Sequence, residues 1–169
     1  MKTPPNRTKP ELQEVATLIN TLLADEYVLH TKTRCAQWNL NDHANYHLQK
    51  FFEGQHETLS SIMDELASHI RSMGQPVLVS MKDFMNIVIM SEETPDYNNS
   101  DKIMEALLRD HESIIRFIQH DIIISSDKIR KPVTAFLVRG IMDKHEKIAW
   151  MLRSSKQMVS LVSAGLQPD

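Results

Sequence analysis

The spacing of apolar residues, with one long gap in it, constrains this chain more than any other feature. Leu12, Val15, Ile19, Leu22 and Leu29 recur at helical spacing from about Glu11 to the turn-forming Asn39, Asn41 and Asp42. A second stripe, Leu48, Phe52, Leu59, Ile62, Leu66, Ile70 and Met73, runs from about Ala44 and stops at Gly74 and Pro76. The next long stripe does not begin until about Asp101. Ser100 is placed to cap it, and Ile103, Leu107, Ile114, Ile118 and Ile122 form its inner face as far as Ser125. The last stripe spans Pro132 to Met158, with Phe136, Ile141, Ile148 and Leu152 as its core positions. Between residues 74 and 100 only Met81 to Met90 reads as helix. Tight hairpins need a few residues, so a connection of this length is a crossover joining the middle two helices. The pattern predicts an all-α four-helix bundle with a short helix in its long crossover. A generic bundle of any role satisfies the same periodicity.

At 169 residues and 41% hydrophobic content the chain suits one domain with a substantial core. Residues 1–10 carry three prolines with Lys2, Arg7 and Lys9 and no apolar period, which predicts a flexible tail before a bundle at 11–158 and a C-terminal tail at 159–169. The formal charge of −3 gives the body no general attraction to nucleic acid, so DNA binding needs a local basic patch. The lone Cys35 makes no intrachain disulfide and reads as a packing residue. Neither a signal-peptide core nor a membrane-length apolar run occurs, which predicts a cytoplasmic protein without membrane association. No glycine-rich phosphate loop is present, and no organic cofactor is expected.

Four segments carry a family resemblance: LLADEYVLHTKTR, QWNLND, MDELASHIRSMG and HEKIAWMLRS, in this order and spacing. Across residues 12 to 155 the chain resembles the Dps family (DNA-binding proteins from starved cells), mini-ferritins of the ferritin-like fold. The resemblance implies a hollow dodecamer of identical subunits with iron-oxidising sites shared across a two-fold interface. It also implies iron storage and protection against oxidative or starvation stress. Aligned on Trp38, the family's first histidine falls at Gln37, its second at Gln49, and the acidic residue one turn later at Glu53. The neighbouring subunit's Asp-Glu-x-Ala-Glu pattern reads Asp64, Glu65, Leu66, Ala67, Ser68. Glu53 and Asp64 therefore remain as iron ligands, while Gln37, Gln49 and Ser68 replace two imidazoles and a carboxylate. An amide oxygen is a neutral donor and a serine hydroxyl a poor one for Fe(II), so the ferroxidase centre is degenerate and iron at the usual site is doubtful.

Gln49, Glu53, Glu57, Asp64 and Ser68 share one helix face. Such a face is ordinarily solvated, and in the resembling cages it lines the two-fold interface. A site inside one bundle needs two Glu-x-x-His motifs, and Glu53 to His56 has no counterpart on the last two helices. His43 and His47, four residues apart, are an alternative transition-metal pair with only Asp42 beside them. His111 and His145 read as buried, hydrogen-bonded histidines. The junction SSDKIRKPVTAF puts Lys131 and Phe136 where related cages carry pore acids, leaving Asp121 and Asp127 nearby. Lys2, Arg7 and Lys9, repeated on every subunit, are the candidate DNA contacts. Two readings follow: a mini-ferritin whose ferroxidase activity is weak or lost, or a structural, non-ferroxidase cage that protects DNA or holds another cargo.

Overall fold

A computed structural model describes residues 9–40, 46–78, 80–91, 96, 99–124 and 132–163, with side chains of all these except 9–11 and 156–163. The chain forms α1 (Lys9–Asn39), α2 (Tyr46–Ser72), α3 (Met81–Ile87), α4 (Ser100–Phe117) continued by a π-helical segment (Ile118–Ile123), and α5 (Pro132–Ser163). No strand occurs among the described residues. α1 packs on α2 and α4, α4 packs on α5, and α3 rests on α1, giving the expected four-helix bundle with its crossover helix. No described helix is long and apolar enough to cross a membrane.

Each helix end has a local cause. α2 ends where Gly74, at φ 74°, donates to Arg71 O while Gln75 N reaches back to Ile70 O. That is a left-handed exit, which glycine adopts without a Cβ penalty. Ser80 caps α3 by accepting from Asp83 N. Asn99, not the expected Ser100, caps α4 by accepting from Lys102 N at 3.1 Å, and Ser100 is already helical. α1 starts at Lys9 rather than Glu11, since Pro10 in the first turn gives up an N–H that has no helical partner there. α5 continues past Met158 to Ser163. The π-helical segment also has a reason in the sequence. Ile114, Ile118 and Ile122 repeat every four residues, and an α-helix would rotate each successive one about 40° off the core face. The wider turn keeps all three buried.

Phe136 corrects the expected core. It is 82% exposed, whereas Ala135, Val138, Ile141, Ile148 and Leu152 line the inner face of α5. The expected stripe counted it with Ile141, Ile148 and Leu152, and the true face runs through its neighbours Ala135 and Val138.

α1 is buried on more of its circumference than one apolar stripe covers, and its buried set includes Asn20, Asp25, Glu26, Lys32 and Thr33. These side chains receive the irregular crossover. Asn20 Oδ1 accepts from Leu78 N, Asp25 Oδ1 accepts from Ile89 N at 2.8 Å and Met90 N at 2.9 Å, and Lys32 donates to Ser91 O. Lys32 also pairs with Asp110 of α4. Burial raises the carboxyl pKa of both Asp25 and Asp110, and the hydrogen bonds to Asp25 and the Lys32 contact to Asp110 pull partly back. On the opposite side Glu26 Oε1, His145 and His111 form a fully buried chain: His145 Nε2 donates to Glu26 at 2.7 Å, and the two Nδ1 atoms lie 2.8 Å apart around one proton. The two histidines are buried and hydrogen-bonded, as the sequence suggested. Burial, then His145, pushes His111 well below its ordinary pKa.

Two outcomes follow. Asp25→Ala leaves two backbone N–H groups without their acceptor and should cost roughly 1–3 kcal/mol in urea unfolding, with faster amide exchange at Ile89 and Met90, while Asp25→Asn keeps an acceptor oxygen and costs less. The depressed His111 pKa means the unfolded chain takes up a proton that the folded chain refuses. Its contribution to stability is therefore complete above about pH 6.5 and is lost as pH falls below that value. Melting curves from about pH 7.5 down to 5 should show this decline, and it should be shallower in His111→Gln.

Candidate functional site

The residues singled out by the metal pattern come from two adjoining helix ends. Gln37 sits on the last turn of α1, and Gln49 and Glu53 on the first turns of α2, which runs back antiparallel beside it. The helices thus bring the three together, and each is already bonded within the chain. Arg34 donates from Nη1 to Gln37 Oε1 at 3.1 Å, using the amide oxygen that a metal would require. Gln49 Nε2 donates to Leu40 O at 2.6 Å, tying the start of α2 to the end of α1. Glu53 Oε2 receives Lys50 Nζ at 2.6 Å. This hydrogen bond, then the Lys50 charge, holds the Glu53 carboxyl below its usual range, with a smaller contribution from Arg34. Lys50 in turn is pushed up by Glu53. Arg34 is itself held in place, its guanidinium 5.3 Å over the exposed Trp38 ring.

Asp64 and Ser68 lie farther along α2, exposed, beside a groove of about 690 Å³ between α2 and α5. They do not meet Gln37, Gln49 or Glu53 within one chain. The groove is crossed by Lys144 to Glu65 at 2.6 Å and by His69 to Thr134 at 2.8 Å, and exposed Phe136 and Val133 form its apolar wall. Among the described residues no group of three or more histidine, cysteine or acidic side chains is placed to hold a metal ion. Within one chain the residues of the family pattern do not fit a two-iron centre: they offer two amides already hydrogen-bonded and a carboxylate already paired with Lys50.

His47 is exposed near the start of α2, while His43, Lys2, Arg7, Asp127 and Lys131 lie outside the described residues. Lys9 is described in its backbone only. Asp121 is exposed in the π-helical segment.

One pair was missed. His30 of α1 and His56 of α2 bring their rings to 4.0 Å between centroids, tilted by 33°. Burial, then His56 and Arg34, pushes His30 down to about 4, and burial followed by Arg34 lowers His56. Both imidazoles are neutral near pH 7. The signal was available in the numbering, because His30 lies seven residues before Gln37 and His56 seven after Gln49, on the same two helix faces.

Comparison with known proteins agrees with this architecture. A family model described as a ferritin-like domain matches residues 16–159. An uncharacterized low temperature-induced protein of Nostoc sp. is 31% identical over 161 residues, covering 95% of this chain and 90% of that protein. DNA protection during starvation protein 2 of Bacillus anthracis is 26% identical, covering 84% of this chain and 96% of the relative. The crystal structure of a Dps protein from Vibrio cholerae superposes with a TM-score of 0.81 at 23% identity, over 90% of this chain and 95% of the other. The chain thus belongs to the ferritin-like family, in its Dps branch.

Proposed function

We propose that this protein is the subunit of a Dps-type cage, cytoplasmic and dodecameric, that sequesters iron and protects against oxidative or starvation stress, with Fe(II) oxidation at the two-fold interface weak or lost. The observation that carries this reading is the Arg34 guanidinium bonded to Gln37 Oε1 beside Glu53. A doubly charged ion about 5 Å from a guanidinium meets roughly 6–7 kcal/mol of repulsion at an effective dielectric of 20, before any ligand is counted. Two imidazoles and a carboxylate would offset that; two amides and a hydroxyl do not. At the interface these amides serve as hydrogen-bonding groups, and the scaffold persists without the chemistry. The same observation supports a second reading, a structural cage that acts on DNA or another cargo, for which Lys2, Arg7 and Lys9 are the candidate contacts.

Anaerobic loading with Fe(II) followed by oxygen or peroxide distinguishes the two. Slow ferric absorbance with iron retained inside the cage supports the mini-ferritin. No retention supports the structural cage. Fast, saturable oxidation at two irons per interface contradicts the account of Gln37, Gln49 and Ser68.

Restoring the ligands gives a sharper outcome. Gln37→His, Gln49→His and Ser68→Glu together, with Arg34→Ala to remove the resident charge, should raise the oxidation rate about 10- to 100-fold over the parent. The triple variant retaining Arg34 should recover less. Sedimentation of every variant should give a particle of twelve copies of the 19.5 kDa chain. A parent protein that sediments as a monomer at micromolar concentration overturns the cage.

A further inference from the structure

The His30–His56 pair joins α1 to α2 by a ring contact and is outside the family pattern. Each ring is half-buried on the α1/α2 face. One heptad separates each from the glutamine that replaces a family imidazole, so the two imidazoles missing at Gln37 and Gln49 reappear about 10 Å away along the same faces. Within one chain they supply only two nitrogens, which is too few for a stable tetrahedral or square site.

The interface reading above, on which this inference rests, supplies the remainder. If Gln49 and Glu53 of one copy face Ser68 and Asp64 of the next, the two-fold axis crosses α2 between Thr58 and Leu59. His56 then faces the position of Ser61, and an offset of about 7–8 Å along the helices with about 8–10 Å between packed axes sets the two His56 backbones roughly 11–13 Å apart, which two imidazole side chains and the metal–nitrogen bonds between them span. Ser60 and Ser61 are small and leave room there. We infer that His30 and His56 of two copies form a shared four-imidazole site for a single divalent ion of the imidazole-preferring class, Cu²⁺, Ni²⁺ or Zn²⁺, at the two-fold axis.

Donor type selects that class. Arg34 is drawn toward Gln37 and Trp38, yet its charge still reaches both rings, while Glu57 beside His56 acts in the opposite sense. No carboxylate is bonded to either ring among the hydrogen bonds of this face, so a hard ion that needs anionic oxygen gains little. Arg34 opposes every divalent ion alike, and imidazole nitrogens offset that opposition most for ions that prefer imidazole. The rings are neutral near pH 7 and need no deprotonation before binding.

The assembled full-length protein, titrated with Cu²⁺ and followed by electron paramagnetic resonance, tests this. One Cu²⁺ per two chains with hyperfine structure from four nitrogens is expected. His30→Asn and His56→Asn should each weaken binding about tenfold or more while sedimenting as the parent does. A double variant, His43→Asn with His47→Asn, should bind as the parent does. One Cu²⁺ per chain with two nitrogens overturns the shared site, as does an unchanged signal in His56→Asn or its loss in the His43, His47 variant. A cage with no nitrogen-coupled copper overturns this inference alone. A parent that sediments as a monomer overturns it together with the interface reading.

Discussion

The polar side chains buried along α1 are the constraint on which the other elements depend. The described crossover residues outside α3 carry backbone groups that no helix satisfies, and each one left unpaired against the bundle would cost about as much as a lost hydrogen bond. Asn20, Asp25 and Lys32 meet them from α1. Lys32 then joins the crossover to α4 through Asp110, and Glu26 joins α1 to α5 through His145. α1 is therefore a central post with a polar side toward the crossover, a polar contact to the opposite hairpin and an apolar remainder against α2 and α4. Its fixed position is what aligns Gln37 with Gln49 and His30 with His56.

That alignment leaves the candidate site separable from the fold. Gln37, Gln49 and Glu53 lie on helix surfaces, outside the apolar layer of Leu22, Leu59, Ile62, Leu66 and Ile114, so a change of side chain there leaves that layer untouched. What changes is the local hydrogen bonding. Gln49 ties α2 to Leu40 O, Gln37 receives Arg34, and Lys50 neutralises Glu53. Each contact is exposed or part-buried and individually worth little to stability. A divalent ion at these residues would have to displace those contacts and approach the Arg34 and Lys50 charges.

Much of this was legible in the sequence. The 3.6-residue period located four long helices and the crossover, and Gly74 marked the end of α2. The positions Gln37, Gln49 and Glu53 were readable once Trp38 anchored the comparison, and the structure places them on the adjoining ends of α1 and α2. Other features were hidden for identifiable reasons. Phe136 looked like core because apolar residues 133, 135, 136, 137 and 138 crowd the start of α5 and periodicity alone does not say which face turns inward; the structure leaves it 82% exposed. The cap at Asn99 lost to Ser100 because adjacent Asn and Ser are nearly equivalent caps by type. The engagement of Gln37 by Arg34 and of Gln49 by Leu40 O depends on rotamers and on the antiparallel pairing of α1 and α2, which spacing does not encode. The His30–His56 contact was encoded as matching heptad offsets on two helices, but it becomes visible only once those helices are known to be neighbours.

The account stands on the claim that the family's two-iron position is filled by the protein's own hydrogen bonds. Crystals of the assembled protein soaked anaerobically in Fe(II), with anomalous scattering recorded at the iron edge, test it directly. The account predicts no pair of iron peaks among Gln37, Gln49 and Glu53 and the Asp64 and Ser68 of the adjoining copy, with Arg34 still bonded to Gln37. Two peaks a few ångströms apart at that position, with Arg34 swung away, would contradict it.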